Sequence, residues 1–140
     1  MNKINHFMVV DDNHTNNLIC EFTIRKYSKY AEISLFTEPE VALEKIGKEY
    51  GKKNENKLTV LFLDINMPSL TGWDFLDVFG NFNEDIQRQF LIYILSSSVD
   101  HRDKEKAETH PFVSGFLSKP LTIQNIEQIF IHNNLILPVK

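Results

Sequence analysis

Val60-Leu61-Phe62-Leu63-Asp64 is four large apolar residues in a row closed by an acid. A strand with one wet face alternates apolar and polar residues. A continuous run predicts burial on both faces, as in a parallel sheet covered by helices. Phe7-Met8-Val9-Val10 repeats the pattern and ends at Asp11-Asp12. Leu91-Ile92-Tyr93-Ile94-Leu95 repeats it again and ends at Ser96-Ser97-Ser98. Ile33-Ser34-Leu35-Phe36 is a weaker strand between the first two runs, and Val113 to Leu117 is the last, ending at Lys119-Pro120.

Stretches of helical length separate these runs. His14 to about Lys29 carries Leu18, Ile19 and Phe22 at helical spacing, with Ile24 and Tyr27 on another face. Thr37-Glu38-Pro39-Glu40 reads as a capping box with proline in the first turn, ahead of Val41, Ala42, Leu43 and Ile46. Gly51 to Lys57 is polar and reads as a loop, and Gly72 to about Phe79 as a helix. Asp100 to Glu108 predicts a charged helix with little apolar surface. Thr122 predicts the cap of a last helix, with Ile123, Ile126, Ile129 and Phe130 on one face. Strand–helix alternation of this kind specifies an α/β fold around a parallel sheet. The tail Leu135-Ile136-Leu137-Pro138 is expected to lie on the domain.

The 140 residues predict one domain, with no visible linker or repeat. A formal charge of -4, with Lys and Arg spread throughout, argues against nucleic acid, which needs a concentrated basic face. No apolar run approaches the roughly 20 residues of a membrane span, and Met1 to His6 lacks a signal-peptide core, so the cytoplasm is the expected compartment. The single cysteine, Cys20, reads as a small buried hydrophobe. The five histidines show no metal-ligand spacing. Trp73, just after Gly72, is expected to be part of the core.

In an open parallel sheet, ligands bind at the carboxyl ends of the strands. Asp11 and Asp12, Asp64, Ser96 and Lys119 each follow a different strand and so converge on one edge. Three carboxylates in one cleft repel each other, and a hard divalent cation such as Mg²⁺ or Mn²⁺ relieves that repulsion. A carboxylate beside such a cation is equipped to attack phosphorus. Lys119 adds positive charge for the phosphoryl oxygens, and the Ser96 hydroxyl a hydrogen bond.

Val9-Val10-Asp11-Asp12, Leu63-Asp64-Ile65-Asn66-Met67-Pro68, Gly72, Leu95-Ser96-Ser97 and Phe116-Leu117-Ser118-Lys119-Pro120 resemble the receiver domain of bacterial response regulators. The likeness runs from about His6 to the last helix, with every motif in order, and covers 1–140 as a single domain. It implies a flavodoxin-like, doubly wound, five-stranded parallel sheet of order 2-1-3-4-5 with five helices. It implies that Asp64 is the phosphoacceptor, Asp12 a direct metal ligand, and Asp11 one acting largely through water. The backbone carbonyl of Asn66 would be a further ligand, Lys119 would hold the phosphoryl group, and Ser96 and Phe116 would form a switch pair. Lys119-Pro120 would be a cis peptide. The implied donor is a sensor histidine kinase or a histidine phosphotransfer protein. The implied output is a changed face of the fourth helix, fifth strand and fifth helix, read by another protein or by a second copy in a phosphorylation-dependent dimer. On this view the chain is a stand-alone signalling protein of chemotaxis type, not an enzyme, although it assists its own phosphorylation and dephosphorylation. Ser96 stands where threonine is frequent and keeps the hydroxyl. Phe116 stands where tyrosine is frequent and has none to offer.

Three other functions compete. A phosphatase of the haloacid-dehalogenase type also places a nucleophilic Asp after a buried strand, but it typically needs an acid two residues on, where this chain has Asn66. A flavodoxin needs a phosphate loop after the first strand, where Asp11-Asp12 would repel the phosphate. A degenerate receiver used as a protein-binding scaffold would not need the full set of acids and Lys119.

Overall fold

The computed structural model describes residues 4–51 and 58–135. Strands β1 (His6–Val10), β2 (Glu32–Phe36), β3 (Thr59–Leu63), β4 (Phe90–Ser96) and β5 (Val113–Ser118) form one sheet in the order β2-β1-β3-β4-β5. Every pairing is parallel. Side chains alternate across a strand, so each continuous apolar run feeds two cores. Met8, Val10, Leu61 and Leu63 belong to the core on one face of the sheet, and Phe7, Val9, Val60 and Phe62 to the core on the other.

The helices are α1 (His14–Tyr27), α2 (Pro39–Glu49), α3 (Gly72–Phe79), α4 (Glu84–Gln87), α5 (His101–Thr109) and α6 (Ile123–His132). Helices α1 and α6 supply the second core, and α2, α3, α4 and α5 the first. Among the described residues, six helices stand where five were expected. The addition is α4, a single turn whose cap Asn83 accepts from the Ile86 N–H and which buries only Ile86. Four residues are too few to display a helical period.

Helix α1 has two apolar faces in the sequence, and the structure decides which one turns inward. Leu18, Ile19 and Phe22 are exposed, and the inward face carries Asn16, Asn17, Cys20, Ile24 and Tyr27. Counting apolar residues picks the wrong side here, because the two asparagines have buried polar partners to meet. The capping box at Thr37 is also absent. The cap of α2 is Glu38, with no side-chain cap bond, and Pro39 takes the first helical position. The third residue after that cap is Val41, which has no polar end to return the bond and is exposed, while Ala42, Leu43 and Ile46 are buried. At α6 the expected cap holds, and Thr122 and Asn125 form a reciprocal box. Ile126, Ile129 and Phe130 are buried there, with Ile123 at the rim.

The two edge strands depart from the expected continuous burial. β3 is buried throughout, but β2 and β5 are half-exposed. Cys20 is fully buried, and burial first, then the charge of Asp11, pushes its thiol up to about 12, leaving it neutral. Trp73 is half-buried against the first core, with the Lys106 ammonium 4.6 Å from its ring centroid. Leu135 is buried, and its N–H donates to the Phe130 carbonyl. The rest of the tail, and residues 52–57 of the expected loop, lie outside the described residues.

Candidate functional site

The backbone ladder assembles the site before any side chain acts. Val10 and Leu63 are register partners, so the residues after them sit side by side. The Asp64 N–H donates to the Val10 carbonyl at 2.9 Å, and the Asp11 N–H to the Phe36 carbonyl at 3.0 Å. Ser96 and Ser118 are partners on β4 and β5, and the Lys119 N–H donates to the Ser96 carbonyl at 3.0 Å. Hydrogen bonds that continue past the strand ends therefore fix where 11, 64 and 119 leave the sheet.

Gly72 tightens the turn after β3. Its N–H donates to the Ile65 carbonyl, and a Cβ there would lie 2.6 Å from the Asp64 carbonyl oxygen and 2.9 Å from the Ile65 Cα. Only glycine lets α3 begin this close to Asp64.

Asp11, Asp12 and Asp64 bring carboxylate oxygens within 4.8 Å of one another. Asp11 is 1% exposed and well supplied with donors. Its Oδ1 accepts from the Asn13 N–H at 2.8 Å, and its Oδ2 from Asn16 Nδ2 and from Lys119 Nζ, both at 2.7 Å. Asp64 is 5% exposed and less well held. Lys119 Nζ lies 3.5 Å from its Oδ1, and the Asn66 N–H donates there at 3.4 Å. Burial first, and the Asp11 charge second, raise the Asp64 pKa to about 6, with Lys119 opposing both. Burial works against the charge on Lys119, but its hydrogen bonds and charge contacts with Asp11 and Asp64 outweigh it and raise its pKa. Asp12 and Asn66 are exposed at the mouth. This donor set, crowded carboxylates with one buried acid short of partners, suits a hard divalent cation. Among the described residues, these acids are a group able to hold a metal ion.

Ser96 is fully buried, and its Oγ accepts from the Ser98 N–H at 3.0 Å. Ser98 Oγ in turn donates to Asp103 Oδ2 on α5 at 2.7 Å. Phe116 is half-buried against the first core, beside a cavity of about 260 Å³ also bounded by Ser98, His101 and Lys104. The Lys119–Pro120 peptide is cis.

Sequence reasoning missed the asparagines. Asn13, not Asp11 or Asp12, caps α1, accepting from the Asn16 N–H at 3.0 Å. That leaves both acids free of capping. Asn17 Nδ2 donates to the carbonyls of Asp11 and Phe36, tying β1 to β2 at the site. The available signal was Asn16-Asn17 in the first turn of a helix with no tidy apolar face.

A family model for the response regulator receiver domain matches residues 7–131, and the chain belongs to that family. Its fold matches the crystal structure of a two-component response regulator from Cytophaga hutchinsonii, at 29% identity over 93% of this chain and 96% of that one, with a TM-score of 0.82. A response regulator receiver protein from Dyadobacter fermentans shares the fold at 24% identity, over 91% of this chain and 95% of that one, with a TM-score of 0.81. The two-component response regulator ARR12 of Arabidopsis thaliana is 26% identical over 125 residues, which are 89% of this chain and 19% of that protein. The chain thus spans about a fifth of that curated relative. Receiver domains are signalling modules, and the acidic cluster fits a phosphoacceptor role. No helix among the described residues is long and apolar enough to cross a membrane.

Proposed function

We propose that the protein is a phosphorylation switch in which Asp64 accepts a phosphoryl group. The supporting observation is a buried Asp64, short of donors, beside a better supplied Asp11, with one ammonium shared by both. Asp12 and Asp64, with Asp11 and the Asn66 backbone behind them, would hold Mg²⁺ or Mn²⁺. When bound, that cation neutralises oxygens of the incoming phosphoryl group. The Asp64 carboxylate forms the new O–P bond as the N–P bond of a donor phosphohistidine breaks. The imidazole nitrogen keeps the electron pair and takes a proton from water. Lys119 turns from Asp11 toward the phosphoryl oxygens, and the Ser96 hydroxyl gives up its contact with Ser98 to donate to another. Loss of that contact frees the loop before α5, and Phe116 moves with it. The face made by α5, β5 and α6, which corresponds to the fourth helix, fifth strand and fifth helix of the sequence reading, then changes shape for a downstream protein.

The donor would be a sensor histidine kinase or a phosphotransfer protein, in the cytoplasm. Intact-mass spectrometry with acetyl phosphate tests the central step. A Mg²⁺-dependent phosphoryl adduct on the wild type and none on Asp64→Asn is expected. No adduct on the wild type, or equal adducts on both, would sink the proposal.

A further inference from the structure

Asp11 is a charged group with almost no access to water, so its stability depends on its donors. Of the three it has, one is shared. Lys119 Nζ sits 2.7 Å from Asp11 Oδ2 and 3.5 Å from Asp64 Oδ1. Any phosphoryl group on Asp64 brings oxygens that compete for this ammonium. If Lys119 leaves, Oδ2 keeps a donor only through Asn16, whose Nδ2 is also 2.7 Å away. Asn16 is itself buried on the first turn of α1. Its orientation is chemically forced, because the flipped amide would set a carbonyl oxygen against a carboxylate. The same amide nitrogen also donates to Cys20 Sγ at 3.7 Å, a buried and neutral thiol.

We propose that Asn16 is a positioning residue for phosphorylation: its side-chain amide holds Asp11 while Lys119 transfers to the phosphoryl group on Asp64. Without it, Asp11 would retain the ammonium, because releasing it would strand a buried carboxylate oxygen. The inference rests on the phosphoacceptor reading above and adds a residue to it.

The test is beryllofluoride binding, which mimics the acyl phosphate, measured by calorimetry in saturating Mg²⁺ on the full chain. Asn16→Leu keeps the side-chain size and removes the donor. It is expected to weaken beryllofluoride binding roughly ten-fold, the scale of one hydrogen bond to a charged group. Binding of Mg²⁺ alone, which leaves Lys119 on Asp11, should change less than about two-fold on the same reasoning. Asn16→Ala carries the same expectations should the Leu variant fail to fold, as judged by circular dichroism. Wild-type affinity in the folded variant overturns the proposal. So does an equal loss for Mg²⁺ alone. A wild-type protein that binds no beryllofluoride and takes no label overturns the phosphoacceptor reading, and this inference with it. A wild type that binds while Asn16→Leu is unaffected overturns the inference alone.

Discussion

Every residue of β3 is buried, whereas none of the six residues of β5 is. The two strands lie on either side of β4 in the same sheet. β3 is covered on one face by α1 and α6 and on the other by α2 and α3, and it delivers Asp64. β5 is an edge strand beside α5, a helix that buries only Ala107. The contrast separates two physical tasks. On the proposed reading Asp64 is a nucleophile that must be held still, and its strand is locked in the densest part of the fold. A surface that is to change shape needs low packing energy, because only weakly held elements have alternative arrangements within a few kcal/mol.

The sharpest way to break this division is Asp64→Asn, which should remove the phosphoryl adduct entirely while leaving β5 and α5 as they are. Intact mass measures the first, and amide exchange the second. A paired truncation weighs the strands against each other. Phe62→Ala, in the fully buried β3, should cost about 3–5 kcal/mol, and Phe116→Ala, half-exposed on β5, about 1 kcal/mol, by urea unfolding. Equal losses would mean that the two halves are equally packed.

The third prediction follows from the raised pKa of Asp64. Folded Asp64 keeps its proton up to about pH 6, while the unfolded chain releases it near 3.8. Between those values the folded state binds more protons, so rising pH destabilises it, and the full penalty is present above about pH 6. Asp64→Asn removes the penalty. It should therefore stabilise the protein at pH 7 by on the order of 2 kcal/mol, with the gain fading as pH falls toward 4. Unfolding curves at the two pH values check both size and sign.

Gly72→Ala should cost about 1–3 kcal/mol and slow labelling, since the new Cβ must push the Asp64 backbone away. The smallest effect is expected from Ser98→Ala. It cuts the tie to Asp103, so exchange at the start of α5 should quicken with little change in global stability, about 1 kcal/mol or less.

Much of this was legible in the residues. Runs such as Val60 to Leu63 fix strands buried on both faces, because no polar residue interrupts them. The acids after β1 and β3, with Ser96 and Lys119, mark the carboxyl edge, because a parallel sheet has only one such edge. What the chain did not disclose is which partners polar side chains find. Asn16 and Asn17 look like solvent residues until β1, β2 and α1 bring Asp11 and two carbonyls to them, and that same demand turns Leu18, Ile19 and Phe22 outward.

Asp64 shows where the line falls. The sequence alone determined that an acid ends a buried strand, since hydrophobic runs and their boundaries are local properties. Only the tertiary structure decided that this acid is short of donors while Asp11 is better supplied, and that one ammonium is shared between them. Charge depends on distance and desolvation, and both are set by residues far apart in the chain.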